Sequence, residues 1–289
     1  MSNPKVIALA ALLATALPAA AQEDETFVEI KPGDISADPA NLIRGAEMGD
    51  VRALNNLGLL WARGVGVPAP DYQEAMRWWK EAAKRGYTLS MNNLGLLFAN
   101  GHGVKQDYAQ ALKWWEMSAE QGDAWAMNSI GDLYENGLGV ERDYAQARDW
   151  YERAAQGGDG LAMYNLGSMY ENGRGVEADP QRALTWYQLS ADKGVGVAMS
   201  NLGKMISAGR GVPADAAEGY AWLTLASSYF SPEDRTEAAE NAQALAALVS
   251  SLSSQQLARA EEIAKNRRAV IEERRKAKPA RPGPGENET

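Results

Sequence analysis

The sequence predicts an all-α protein, a solenoid of about five helix–turn–helix repeats of roughly 36 residues each. A Leu-Gly or Ile-Gly pair recurs at steps of 37, 36, 36 and 36 residues, and its glycine is Gly58, Gly95, Gly131, Gly167 or Gly203. A G-x-G-V turn begins six residues after each of these glycines. Because one repeat of this length cannot bury both of its apolar faces alone, neighbouring repeats are expected to stack.

Each repeat carries the signals of two helices. An Asp after the G-x-G-V turn suits the N-terminal cap of the second helix, because its carboxylate accepts hydrogen bonds from free backbone N–H groups. In the second repeat Asp107 is expected to begin a helix that runs to about Gln121 and buries Trp115. Gly122 is suited to end that helix in the left-handed conformation, and the next helix is expected over about 124–136.

The combined pattern is A-x-x-x-L-G-x-x-Y-x-x-G-x-G-V-x-x-D-x-x-x-A-x-x-W-Y-x-x-A-A-x-x-G, which resembles the Sel1-like repeat, a relative of the tetratricopeptide repeat. The resemblance implies a right-handed solenoid and a scaffolding or regulatory role through protein–protein contact. Family members that are secreted and cysteine-rich differ from this chain, which has no cysteine. The five repeats are expected at 50–86, 87–122, 123–158, 159–194 and 195–230.

The N-terminal residues predict export. Residues 1–21 combine the positive charge of Lys5, an apolar run over 6–17 and a small-residue site that ends at Ala21. The run is too short to span a bilayer comfortably, so the pattern is typical of a cleaved signal peptide. The expected location is the periplasm, or the medium if the protein is secreted, with no stable membrane insertion after cleavage.

The segments that flank the repeats predict caps and tails. Residues 22–49 are expected to form a leader and a half-repeat, and residues 231–277 two helices that cap the solenoid, the first starting at Ser231. Residues 278–289 are rich in Pro and Gly and are expected to be disordered. The basic stretch from Lys265 to Arg281 has two interpretations, a solvated helix end or a contact with an anionic partner.

The composition excludes several functions. The 289 residues include no Cys and one His, so a cysteine-based or multi-His metal site is impossible, and no cofactor is expected. A Ser-His-Asp triad would have to use His102, which lies in a G-x-G-V turn where other repeats carry unrelated residues and where a surface position is expected. The net charge of −9 argues against nucleic-acid binding, which needs clustered Lys and Arg.

A candidate partner-binding face lies on the first helix of each repeat. Offsets 0, 3, 7 and 10 in that helix vary freely among the repeats and share one helical face. By analogy with tetratricopeptide solenoids, this stripe is expected to line a concave groove for a peptide-like segment, apolar at one end and acidic at the other. Its members are Arg52, Asn55, Leu59, Leu89, Asn92, Leu96, Trp125, Asn128, Asp132, Glu135, Leu161, Tyr164, Ser168, Glu171, Ser200 and Lys204.

The function expected is that of a periplasmic protein–protein interaction module, a scaffold or a regulator, for example of envelope signalling, rather than an enzyme. The alternative is an enzyme or accessory protein that acts on the cell wall. It would need a catalytic constellation outside the repeats, and the terminal helices show none. Glu135 and Glu171 could be imagined as paired carboxylates of a glycoside hydrolase, but the sequence gives no separation between them. The identity of the partner and the oligomeric state are left open by the sequence.

Overall fold

The computed structural model describes residues 39–65 and 69–277, with side chains from residue 42 to residue 274. The predicted signal peptide, the leader before residue 39 and the tail after residue 277 lie outside these residues. Within the described ranges the chain forms thirteen α-helices and no β-strand, which confirms the all-α prediction. No helix in these ranges is both long enough and apolar enough to cross a bilayer.

The helices follow one another in the order that the repeat pattern predicts. The half-repeat supplies α1, the five repeats supply one first and one second helix each, and two more helices follow. They are α1 (Pro39–Glu47), α2 (Val51–Arg63), α3 (Tyr72–Ala83), α4 (Thr88–Asn100), α5 (Tyr108–Ala119), α6 (Ala124–Asn136), α7 (Tyr144–Gln156), α8 (Gly160–Asn172), α9 (Pro180–Asp192), α10 (Gly196–Ser207), α11 (Ala216–Ala226), α12 (Arg235–Val249) and α13 (Ser254–Ala277).

The chain divides into two compact units. The N-terminal unit ends at Trp150 and the C-terminal unit begins at Tyr151, so that the boundary falls inside α7. In the N-terminal unit consecutive helices from α1 to α6 pack against one another, and in the C-terminal unit the same holds from α8 to α11. Consecutive helix pairs packed in this way are the arrangement of an α-solenoid.

Aspartates and glycines set the helix ends as the sequence predicts. Asp107 caps α5 by accepting a hydrogen bond from the backbone N–H of Gln110 at 3.0 Å, and α5 ends at Ala119, two residues before the expected end. The helix expected over 124–136 has these bounds in the structure, and Gly137 ends it with φ of 67°. A left-handed glycine in this place lets the chain turn without a steric penalty on a Cβ atom.

Within a repeat, the glycine of the Leu-Gly pair lies against a ring of the second helix. A Cβ atom added to Gly95 would overlap the indole nitrogen of Trp115, and one added to Gly167 would lie 2.7 Å from Cδ1 of Tyr187. The close approach brings the indole N–H of Trp115 within 3.3 Å of the carbonyl oxygen of Asn92, to which it donates. The two helices of a repeat are therefore joined by a ring that only glycine can accommodate.

Between repeats, the turns of the second, third and fifth repeats pack onto the second helix of the preceding repeat. Gly103 takes a φ of 66°, and a Cβ atom there would lie 2.6 Å from Cβ of Tyr72. A Cβ atom on Gly139 would lie at the same distance, 2.6 Å, from Cβ of Tyr108. His102 is partly exposed in its turn, and its ring stacks on Tyr72 with centroids 5.0 Å apart.

The first helix after the repeats begins later than expected. It starts at Arg235 rather than at Ser231, because the Ser231 hydroxyl and backbone N–H both donate to the Asp234 carboxylate at 2.9 Å. These bonds close a turn before the helix instead of capping it. Helix α13 begins after Ser253, whose hydroxyl accepts from the backbone N–H of Gln256 at 3.3 Å while the Gln256 side chain accepts from Ser253 in return.

Helix α13 packs on the last repeat and covers α11. Ala260, Ala264 and Ile271 are its buried residues in the described range, and they face the apolar core of the C-terminal unit. The guanidinium of Arg267 lies 4.4 Å from the centroid of the Trp222 ring and pairs with Glu218. Both interpretations of the basic stretch are therefore incomplete, since its described arginines bind groups of the same chain.

Two further ion pairs hold α13 in place. Arg259 pairs with Asp215 at 3.0 Å, and Arg274 pairs with Asp192 at 2.6 Å. The three arginines are spaced eight and seven residues apart, which places them on one side of the helix. The acidic ends of α9 and α11 are thus covered by a basic helix.

Candidate interaction surface on the first helices

In the N-terminal unit most of the predicted stripe is buried. Arg52 is exposed, and Leu89 and Asp132 are half-buried. The remaining members there are at most 9% exposed, namely Asn55, Leu59, Asn92, Leu96, Trp125, Asn128 and Glu135. The premise that this face is released from packing is therefore wrong for these residues, although partner binding by the face as a whole stays a prediction.

The buried amides of this unit join neighbouring first helices. The side-chain oxygen of Asn55 accepts from the Ser90 hydroxyl at 2.9 Å and from the Asn93 amide at 3.1 Å. The Asn92 amide donates to the carboxylate of Asp123 at 3.2 Å. Burial makes these bonds expensive to break, so these asparagines hold the stack together and do not serve a peptide backbone.

In the C-terminal unit the same stripe reaches the surface. Leu161 on α8 is 37% exposed, and Ser168, Glu171 and Lys204 are half-buried. Tyr164 and Ser200 are buried. The prediction of direct partner contact assumed that they are exposed, and this assumption is wrong for both residues. The surface available to a partner on the first helices is therefore found mainly on α8 and α10.

Glu171 is held by two donors of its own unit. The hydroxyl of Tyr187 donates to one carboxylate oxygen at 2.7 Å, and Nη1 of Arg210 donates to the other at 2.7 Å. Burial of the ring, together with the neighbouring Glu171 carboxylate, raises the pKa of Tyr187 far above its ordinary value, so the phenol stays a donor. The expectation of an acidic groove end is wrong at Glu171, whose charge is balanced by Arg210.

Three cations lie on α10 or in the turns that follow α8 and α10, and we call Arg174, Lys204 and Arg210 the basic cluster. Arg174 donates to the Ser168 hydroxyl at 2.6 Å, and the Lys204 ammonium lies 3.1 Å from the carboxylate of Glu240 on α12. The side chain of Arg210 is 49% exposed. Two members of the basic cluster are paired with carboxylates, Arg210 with Glu171 and Lys204 with Glu240.

Sequence reasoning missed the two arginines of the basic cluster. Both occupy the variable position of a G-x-G turn, the position that His102 holds in the second repeat. The sequence signal that could have identified them is that only the fourth and fifth repeats carry an arginine at this turn position. It was overlooked because a variable turn position was interpreted as solvent-exposed, whereas the turn directs these side chains back over the first helix.

The described residues show no group of three side chains that could hold a metal ion. Glu135 and Glu171 fall in different compact units, and Glu171 is engaged by Tyr187 and Arg210. What the C-terminal face offers is hydrogen-bond donors, paired charges and one exposed apolar side chain. Those groups are suited to reversible binding.

Glycine-facing rings, capped helix pairs and stacked turns define the class of an α-solenoid built from helix–turn–helix repeats. The model of one family, the Sel1 repeat, matches residues 51–87, 88–123, 126–159, 160–195 and 196–228. The chain therefore belongs to the Sel1 repeat family, whose members are in general protein–protein interaction modules.

Solved structures of Sel1-like proteins are similar to this chain. A protective antigen present in uropathogenic Escherichia coli strains, with an SLR fold, is 28% identical, with a TM-score of 0.69 over 83% of this chain. The match spans 51% of that antigen, about half of its length. A Sel1 repeat protein from Oxalobacter formigenes is 31% identical, with a TM-score of 0.61, over 68% of this chain and 81% of that one. Among curated proteins, none matches this chain.

Proposed function

We propose that this protein is an exported scaffold or regulator of the bacterial envelope that binds a segment of a partner protein on the first-helix face of its C-terminal unit. The observation that carries the proposal is the burial of the stripe residues. Most of them are buried in the N-terminal unit, whereas Leu161, Ser168 and Lys204 of the C-terminal unit are exposed or half-buried. Membership of a family of interaction modules supports the class of function.

The chemistry of the open face suits a peptide segment. The exposed Leu161 side chain offers apolar surface, and the half-buried Ser168 and Lys204 offer polar groups on the same face. A partner segment would bury the leucine and pair its polar groups with these side chains, in the combination of apolar centre and polar rim common at interfaces. Rigid helices present these groups, so little ordering of the protein accompanies binding.

Photo-crosslinking in living cells tests the binding face. A benzophenone amino acid is placed at Leu161 or Ser168, and at Lys113, exposed on α5, as the control position. We expect a discrete adduct from the first two positions and none from Lys113, and mass spectrometry of the adduct identifies the partner. Adducts of equal intensity from all three positions, or from Lys113 alone, would contradict the proposed face.

Fractionation of cells tests export. The pattern around Lys5 and Ala21 supports cleavage after Ala21, so the protein recovered from the periplasm is expected to begin at Gln22. N-terminal sequencing of the purified protein measures this directly. Recovery of the uncleaved chain from the cytoplasm would show that the proposed location is wrong while leaving the binding proposal standing.

A further inference from the structure

The open face of the C-terminal unit carries the basic cluster, and one of its acids is engaged within the protein. The Glu171 carboxylate accepts from the Tyr187 hydroxyl and from Arg210. The carboxylate is also only 17% exposed, so it adds little negative potential at the surface. Of this ion pair, a partner would meet the Arg210 guanidinium, at 49% exposure, more readily than the carboxylate that it binds.

Arg210 has hydrogen-bonding capacity to spare. A guanidinium carries five N–H donors in a planar fork, and within the described residues one of them is engaged, by Glu171. With 49% of the side chain exposed, the remaining donors face solvent. A planar fork of this kind matches a carboxylate, which accepts two parallel hydrogen bonds.

Lys204 already binds a carboxylate, and that carboxylate can be exchanged. Its partner Glu240 comes from α12, is 59% exposed and makes the contact across two helices rather than within one. Exposed ion pairs of this kind are weak, because water and salt compete for both groups. Glu240 therefore occupies a carboxylate-binding position that an incoming acidic side chain could take.

We propose that the first-helix face of the C-terminal unit recognises an acidic peptide segment, with Arg210 and Lys204 binding its carboxylates and Leu161 contacting an apolar side chain of the same segment. This inference rests on the proposed function and names the chemistry of the partner. Complementary charge speeds association and selects against basic partners.

Selection from a random twelve-residue peptide library tests this chemistry without knowledge of the natural partner. The full chain is immobilised, bound peptides are sequenced, and the best binders are made with a fluorescent label for polarisation measurements. We expect the selected peptides to be enriched in Asp and Glu and to carry an apolar residue beside them. Replacing each Glu by Gln in such a peptide should weaken binding by about tenfold.

Variants of the protein separate charge recognition from folding. Lys204→Glu and Arg210→Gln should each lower the affinity for the labelled acidic peptide by about tenfold. Lys113→Glu on α5 should leave this affinity within about twofold of the native value. Glu240→Gln frees Lys204 from its competitor and should strengthen binding by a few fold. A gain of affinity cannot result from misfolding, so this variant keeps the test decisive.

The outcomes distinguish this inference from the proposed function. Selected peptides without acidic enrichment, or an affinity that Lys204→Glu and Glu240→Gln leave unchanged, would overturn the acidic-segment inference and leave a binding module of other specificity. Failure to select any peptide would overturn the inference as well. The proposed function would then stand or fall on the crosslinks from Leu161, which do not depend on charge.

Discussion

Single residues decide how closely the two helices of a repeat approach. The glycines at positions 58, 95 and 167 have no side chain where the rings of Trp79, Trp115 and Tyr187 pack. The indole or phenol then reaches a group on the first helix. The packing of the two helices of a repeat therefore requires glycine, because the methyl group of an alanine would overlap the facing ring.

Gly95→Ala should destabilise the N-terminal unit by about 1–3 kcal/mol, the range found for overpacked cores. The added Cβ atom overlaps the Trp115 indole and displaces its hydrogen bond to the carbonyl of Asn92. Chemical denaturation measures the free energy of unfolding, with the exposed Lys113→Ala as a control expected to change it by less than about 0.5 kcal/mol.

The double variant Gly95→Ala with Trp115→Phe checks the cause. A phenyl ring is smaller than an indole, so part of the loss should return and the two effects should not add. Strict additivity would mean that the alanine acts on the helix itself and not on the ring.

Tyr187→Phe should cost about 1.5–3 kcal/mol, as expected for loss of a hydrogen bond to a charged group. The phenylalanine leaves one oxygen of Glu171 without the donor that lies 2.7 Å away in the native protein. Tyr170→Phe is the matched control, because the Tyr170 hydroxyl makes only a 3.4 Å contact with Arg182. Thermal denaturation at neutral pH compares the two, and equal losses would contradict the role of Tyr187.

The same pair predicts a pH dependence. Because burial and Glu171 raise the pKa of Tyr187 in the folded protein above the ordinary value of 10.0, its contribution is complete below about pH 10. As pH rises beyond that value, the unfolded chain loses the proton and the folded one keeps it, so the folded state becomes less stable. The stability advantage of the native protein over Tyr187→Phe should therefore narrow between pH 9 and pH 11.

At the scale of the helices, the most predictable feature of the fold was where each helix begins and ends. Asp107 and Gly137 act on the backbone next to them, so short-range chemistry suffices to predict where helices begin and end. The start of α12 was mispredicted because the Ser231 hydroxyl binds the Asp234 side chain, a choice between two local acceptors that the sequence does not resolve.

Asp215 joins two elements, because it caps α11 and also pairs with Arg259 of α13. Asp215→Ala should cost about 1 kcal/mol, since it removes the cap, whereas Asp215→Asn keeps a capping acceptor and should cost less. The difference is measured by thermal denaturation. An equal loss in both variants would assign the whole effect to the ion pair with Arg259.

Acid should remove the difference between native protein and Asp215→Asn. The hydrogen bond from the backbone N–H of Glu218, followed by the charge of Arg259, lowers the pKa of Asp215 below its ordinary value of 3.8. A lowered pKa in the folded state gives stability that is present above about pH 4 and lost as pH falls further. The two melting temperatures should therefore differ above about pH 4 and converge as the pH falls below it.

At the scale of the whole molecule, the period of the sequence pattern predicted the solenoid. The burial of the stripe residues then corrected the prediction of the binding site. The recurrence of Leu-Gly and G-x-G-V gave the number and type of repeats, because each repeat meets the same local environment. Variation among repeats at the stripe was interpreted as freedom from packing. In the N-terminal unit it reflects different packing partners instead, as Asn55 with Ser90 and Asn92 with Asp123 show.

Hydrogen exchange should report a repeat protein that opens in parts. Each repeat contacts only its neighbours, so a local defect is expected to propagate over short distances. In Gly95→Ala, amide protection should fall most in α4 and α5, less in α2, and least in α10 and α11. A uniform loss of protection from α2 to α11 would indicate that the array unfolds as one cooperative body.

The packing of each turn on the preceding repeat has a genetic consequence. Gly103 on Tyr72 and Gly139 on Tyr108 form equivalent junctions, 36 residues apart. Unequal recombination that duplicates or deletes one full period recreates the same junction, whereas a slip of any other length puts a side chain where the turn requires glycine. Whole repeats are therefore expected to be gained or lost between α1 and α13 more readily than parts of repeats, and the proposed binding face would change length without a change to its ends.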